Sequence, residues 1–234
     1  MSIRRTAWLA VLGIAALACV CAPAVLEAHG VSRRDALFVA SVNGPVPVPF
    51  AYLGAKHMVT GYDHLLFLVG VIFFLYRLGD VVKYVSLFTL GHSITLLAGV
   101  LGDVRANPYI IDAIIGMSVI YKGFENIGGF QRVIGMRPDP RVAVLVFGLF
   151  HGFGLATKLQ ELSLPPAGLI TNLISFNIGV ELGQGVALTG VLIALMWWRN
   201  RPSFAQHAFA ANTLLMIGGF LLVGYQLAGY WVSR

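Results

Sequence analysis

Residues 58–76 read MVTGYDHLLFLVGVIFFLY, a run apolar enough to cross a bilayer except at one pair, Asp63-His64. About 20 consecutive apolar residues span a hydrocarbon core roughly 30 Å thick. The run therefore predicts a transmembrane helix. An ionisable group at a helix centre costs roughly 2.5–3.5 kcal/mol on insertion scales, so the pair inside it predicts a use within the membrane.

Five further apolar runs follow, at 81–101, 109–127, 141–159, 168–198 and 208–232. Turns rich in Gly, Pro and charge separate them. The fifth run exceeds what a bilayer needs, which predicts tilt or a loop-like start before Ser175. The expected fold class is all-α, a polytopic transmembrane helix bundle with six spans after an N-terminal signal peptide. No convincing internal repeat is visible.

Upstream, residues 1–28 read as that signal peptide. Arg4 and Arg5 precede the apolar segment from Trp8 to Val20, and small residues follow at Ala22-Pro23-Ala24 and Ala28. Cys19 and Cys21, the chain's two cysteines, fall in this segment. The remainder offers neither a disulfide nor a thiolate metal site. Residues 29–56, with Pro45, Pro47 and Pro49, read as a short periplasmic segment, and 57–234 as the six-helix transmembrane domain.

With 58% hydrophobic and 11% charged residues, the chain is not a soluble domain. Its net charge of +6 follows from basic residues flanking the spans, with no basic face for nucleic acid. The loops expected inside carry Arg77, Lys83, Arg132, Arg137, Arg141, Arg199 and Arg201; those expected outside carry Arg105 and Lys158. Positive-inside asymmetry then predicts a bacterial inner-membrane protein with both mature termini in the periplasm.

That topology sets depth. Asp63 and His64 fall in the outer part of span one, and His92 and His151 each lie roughly 13 Å below the outer boundary at 1.5 Å per residue. Glu181 lies as deep or deeper. His57, Gly61 and His64 share a helix face at i, i+4, i+7 if the helix starts this early. Asp63 can ligate a metal or fix the tautomer of a neighbouring imidazole. Thr89, His92, Ser93 and Thr95 line one polar side of span two. Gly148 and Gly152 have the spacing that lets helices approach closely, holding His151 near a partner. Asn177, Glu181 and Gln184 share a face, and a buried Glu needs a cation, a proton or a basic partner. Asp112, Gly116, Gly123 and Asn126 form a stripe that could face a pore, while Lys122 offers Glu125 a local salt bridge.

The strings Gly61-Tyr62-Asp63-His64-Leu65-Leu66-Phe67, Phe88-Thr89-Leu90-Gly91-His92-Ser93, His151-Gly152-Phe153-Gly154 and Phe176-Asn177-Ile178-Gly179-Val180-Glu181-Leu182-Gly183-Gln184 resemble the HupE/UreJ membrane family. The resemblance implies a six-helix inner-membrane nickel or cobalt permease linked to hydrogenase or urease maturation proteins. In that family a His-Pro pair often precedes the Gly-x-Asp-His string; here Met58 follows His57.

The expected metal residues are His64, Asp63, His92, His151, Glu181, Asn177 and His57. Imidazoles with carboxylates suit Ni²⁺ or Co²⁺, and Zn²⁺ is possible. The alternative is an intramembrane zinc-dependent hydrolase with His64, His92 and His151 on the metal and Glu181 or Asp63 as general base. A haem protein with paired axial histidines is a third class.

Overall fold

The computed structural model describes residues 33–161 and 166–233, so the expected signal peptide, 1–28, lies outside the described residues. Nine helices and no strand are present among the described residues. They are α1 (Arg33–Ser41), α2 (Pro47–Thr60), α3 (Tyr62–Ile72), α4 (Leu78–Leu101), α5 (Pro108–Asn126), α6 (Gly129–Val133), α7 (Pro140–Glu161), α8 (Leu169–Arg199) and α9 (Ser203–Val232). Four of these, α4, α7, α8 and α9, are long and apolar enough to cross a membrane. The 19-residue α5 carries Asp112, Lys122 and Glu125.

Span one differs from expectation. Helix begins at Pro47 rather than near 58, and it breaks at Gly61. Pro47 and Pro49 start α2 instead of excluding helix, because the first turn has no intrahelical use for the N–H that proline lacks. Gly61 donates its N–H to the His57 carbonyl at 2.8 Å, closing α2, and α3 restarts at Tyr62. By contrast α8 runs unbroken from Leu169 to Arg199, with no loop before Ser175.

Close helix pairs build the bundle. Helix α2 lies along the first half of α8, and both run the same way. A Cβ at Gly54 would collide with the Phe176 backbone, one at Gly179 with Ala51, and one at Gly183 with Ala55. Near its end α3 reaches the far end of α8, where Phe73 meets Trp198. There Arg199 donates to the carbonyls of Leu75 and Phe73 at 2.8 and 2.6 Å, satisfying acceptors that a helix C-terminus leaves open.

Helices α4 and α7 are also parallel. Gly148 packs on Phe88, Gly91 on Leu145, and Gly152 on His92, as the small-residue spacing predicts. Thr95 Oγ1 donates to the Leu149 carbonyl at 2.6 Å across the same interface. Helices α5 and α9 are antiparallel, with Gly116 against Val223 and Gly123 against Asn212. The stripe of Asp112, Gly116, Gly123 and Asn126 therefore faces α9 rather than a pore, because its glycines serve close packing. Short α3 fills the middle, with seven of its eleven residues buried.

Candidate metal centre

The break at Gly61 places two histidines on either side of a helix interruption, His57 in the last turn of α2 and His64 in the first turn of α3. Their ring centroids are 5.2 Å apart. A Cβ at Gly61 would stand 3.0 Å from the His57 carbonyl and 3.2 Å from His64 Nδ1, so the turn is tight enough to favour glycine. Two more imidazoles close on His64, His151 of α7 at 4.8 Å and His92 of α4 at 5.8 Å between centroids. The sequence puts His57 and His64 on one helix face if the helix starts early enough; it does start early, and the break at Gly61 leaves the two rings side by side.

The imidazoles are held in defined orientations. Asp63 Oδ1 lies 3.0 Å from His64 Nδ1 and accepts the His64 backbone N–H at 2.9 Å. His151 Nδ1 lies 2.7 Å from the Phe147 carbonyl, which can only accept, so Nδ1 carries the hydrogen. In a neutral ring Nε2 then keeps its lone pair. Asp63 imposes the same tautomer on a neutral His64. His64 Nε2, His151 Nε2 and both ring nitrogens of His92 are buried without a hydrogen-bond partner. Polar atoms in such a position are uncommon and carry an energetic cost unless something binds them.

Phe67 and Phe88 wall the cluster, with Phe88 5.0 Å and Phe67 5.3 Å from the His151 ring. The rings pack mainly edge to face. Among the described residues no group of three or more His, Cys, Asp or Glu side chains stands ready to hold a metal ion as it is.

Asn177 and Glu181 do not join the histidines. They line a separate cavity of about 520 Å³ between α4 and α8, with Thr89, Ser93 and Gln184. Asn177 Nδ2 donates to Ser93 Oγ at 2.8 Å, and Gln184 Nε2 to Thr89 Oγ1 at 3.1 Å. Glu181 is exposed at this face. Span two therefore divides its polar residues: His92 turns its ring toward His64 of α3 and Thr95 faces α7, whereas Thr89 and Ser93 face α8. At 3.6 residues per turn Ser93 and Thr95 point about 160° apart, so the four cannot share one face.

One buried cation escapes the sequence reading, and a second bears it out. Lys158 lies within α7, not in an outer loop, and pairs with Asp112 at 3.0 Å. Gln226 Nε2 adds a contact to the same carboxylate at 3.4 Å. The signal was available, since the first turn of one span and the last turn of an antiparallel neighbour lie at one level. Lys122 is buried in α5 and bonds Glu125 at 2.8 Å, as its i, i+3 spacing suggests.

No curated protein and no solved structure matches the chain. The family described as HupE / UreJ protein matches residues 33–234. With its apolar helices long enough to cross a bilayer and its buried histidines, the chain belongs to the HupE/UreJ family of membrane proteins, which is associated with nickel and cobalt transport.

Proposed function

We propose that this protein is an inner-membrane permease for Ni²⁺ or Co²⁺, with His64, His92, His151 and His57 forming the intramembrane site for the ion. The observation that carries the reading is the set of bare, buried imidazole nitrogens on His64, His92 and His151. Borderline nitrogen donors suit Ni²⁺ and Co²⁺, whereas Mg²⁺ and Ca²⁺ require oxygen. Asp63 acts through His64, raising its basicity and fixing its ring, as carboxylates behind metal-bound histidines do.

Six crossings of alternating direction are part of the proposal. The parallel runs of α2–α3 with α8 and of α4 with α7, and the antiparallel run of α5 with α9, are what alternation requires. Glu181 and Asn177 serve a separate step, since they face the α4–α8 cavity. Delivery to hydrogenase or urease maturation proteins rests on the family alone. The zinc-hydrolase alternative needs a carboxylate free to act as base beside the metal. Asp63 is engaged with His64 and Glu181 lies in the other cavity, so the geometry favours transport.

The test is metal affinity of the purified full chain, wild type against His92→Ala. Near-stoichiometric Ni²⁺ or Co²⁺ in the wild type, lost in the variant, is the expected result. Tightly held Zn²⁺ as the sole bound ion, or no metal at all, would end the permease reading.

A further inference from the structure

Two of the parallel helix pairs repeat each other residue for residue. Adding 94 to a residue of α2 and subtracting 88 from a residue of α8 turns one interface into the other. Gly54 against Phe176 becomes Gly148 against Phe88. Ala51 against Gly179 becomes Leu145 against Gly91. Ala55 against Gly183 becomes Leu149 against Thr95, where the Thr95 hydroxyl bonds the Leu149 carbonyl. Both interfaces are parallel, and α2 and α7 start within one residue of matching places, since the offset carries Pro47 to Arg141 and α7 begins at Pro140.

The third pair obeys the same symmetry. An offset of 103 carries α5 onto α9 and exchanges Gly116 against Val223 with Ile120 against Gly219. Gly116 and Gly219, matched by this offset, also touch each other. A set of contacts that maps onto itself under exchange of its halves is the mark of a two-fold axis. Each half contributes three consecutive crossings, so the second half begins on the face opposite the first. The axis consequently lies in the membrane plane.

We propose that the protein consists of two inverted copies of one three-span unit, α2–α5 and α7–α9, with the imidazole cluster on the two-fold axis between them. The matching residue of His57 is His151, and both flank His64, at 5.2 and 4.8 Å between ring centroids. His57 is thus a ligand of the same standing as His151, despite its departure from the His-Pro pattern. The α4–α8 cavity lies on the same axis. Its residues match in pairs, Thr89 with Asn177 and Ser93 with Glu181.

The copies differ where selection for a metal site would make them differ. Asp63 and His64 correspond to Thr157 and Lys158, and Lys158 is committed to Asp112. His92 corresponds to Val180. Only one copy supplies the Asp-His unit, so one asymmetric site replaces two equal ones. Inverted repeats with the binding site at their interface and a discontinuous helix beside it are a common construction in secondary transporters. The break at Gly61 falls at Leu155 in the second copy, within continuous α7. That difference in shape is what the halves would exchange to open the site to the other face.

The duplication needs the proposed cargo only to explain why the cluster exists, and its test separates the two. Val48 and Val142 correspond under the offset of 94 and are both exposed. Single Val48→Cys and Val142→Cys variants are made in the full chain with Cys19→Ser and Cys21→Ser, then treated with a membrane-impermeant maleimide in right-side-out and inverted vesicles. Each should label from one face, and the faces should be opposite. Labelling of both from the same face overturns the inversion whatever the metal result.

Nickel titration of purified His57→Ala and His151→Ala supplies the second arm. Comparable losses, each at least tenfold and within about threefold of one another, are expected of matched ligands. Wild-type affinity in His57→Ala overturns their equivalence. If the wild type binds no nickel while labelling is opposite, the cargo reading fails and the duplication stands.

Discussion

A histidine whose Nδ1 is tied to a fixed oxygen presents its Nε2 in a fixed direction, and that is the condition of both His64 and His151. The two differ in how the tie can be cut. The Phe147 carbonyl is beyond mutation, but Asp63 is not. Asp63→Asn keeps the size of the side chain and removes its charge, which weakens its hold on the imidazole. Loss of such a supporting carboxylate typically costs 10–100-fold in metal affinity. We expect a nickel affinity lower by about that factor, measured by calorimetric titration, with the fold intact by circular dichroism. Glu181→Gln provides the contrast, since Glu181 lines the other cavity. Its equilibrium affinity should stay within about threefold of wild type; a tenfold loss would place Glu181 with the imidazoles after all. At this scale the sequence was readable to a limited depth. The histidines and Asp63 stand out because ionisable groups are costly inside apolar runs and seldom occur there without a use. That Glu181 stands apart was hidden, because depth in the membrane does not say which way a helix face turns.

Helix boundaries after span one were legible to within a few residues, since length, proline and glycine punctuation set them. The expected 81–101, 109–127 and 141–159 correspond to α4, α5 and α7. Span one was misread because its prolines start a helix and a single glycine interrupts it. The partner of each helix was not legible either, because a glycine shows that something comes close without naming it. Gly152 illustrates the energetics: a Cβ there would run into the His92 carbonyl backbone. Overpacking of this kind typically costs 1–3 kcal/mol. Gly152→Ala should lower the thermal midpoint of the detergent-solubilised protein by several degrees and weaken metal binding by displacing His92. Gly190 lies in α8 with nothing within 4 Å of its missing Cβ. Gly190→Ala should be neutral or stabilising, since alanine is favoured over glycine in a helix by roughly 1 kcal/mol. Equal effects would mean that α4 and α7 are not locked as described. The Asp112–Lys158 pair joins α5 to α7 in the same sense. Lys158→Met strands a buried carboxylate and should destabilise by about 3–5 kcal/mol. Adding Asp112→Leu should recover most of that loss in the same melting measurement.

Across the whole molecule, the tight pairs α2–α8 and α4–α7 meet each other less closely. Between α4 and α8 lies the cavity of about 520 Å³, bridged by the Asn177–Ser93 and Gln184–Thr89 hydrogen bonds. Two stiff units joined by a few polar contacts can rock, whereas interfaces of glycine against backbone cannot slide without collision. Motion that opens the imidazole cluster should therefore change the α4–α8 gap and leave each pair intact. Ser86 and Gly185 line the gap from α4 and α8. In a chain with Cys19→Ser and Cys21→Ser, Ser86→Cys with Gly185→Cys can be bridged by a short, reducible bis-thiosulfonate. Bridging should reduce nickel or cobalt flux into proteoliposomes at least tenfold, and reduction should restore it. Equilibrium affinity, set by imidazoles that the bridge does not touch, should remain within about threefold of the unbridged protein. Flux unaffected by complete bridging would mean that the two pairs do not move against each other during transport. Loss of affinity together with flux would mean instead that the cavity and the histidines form one site.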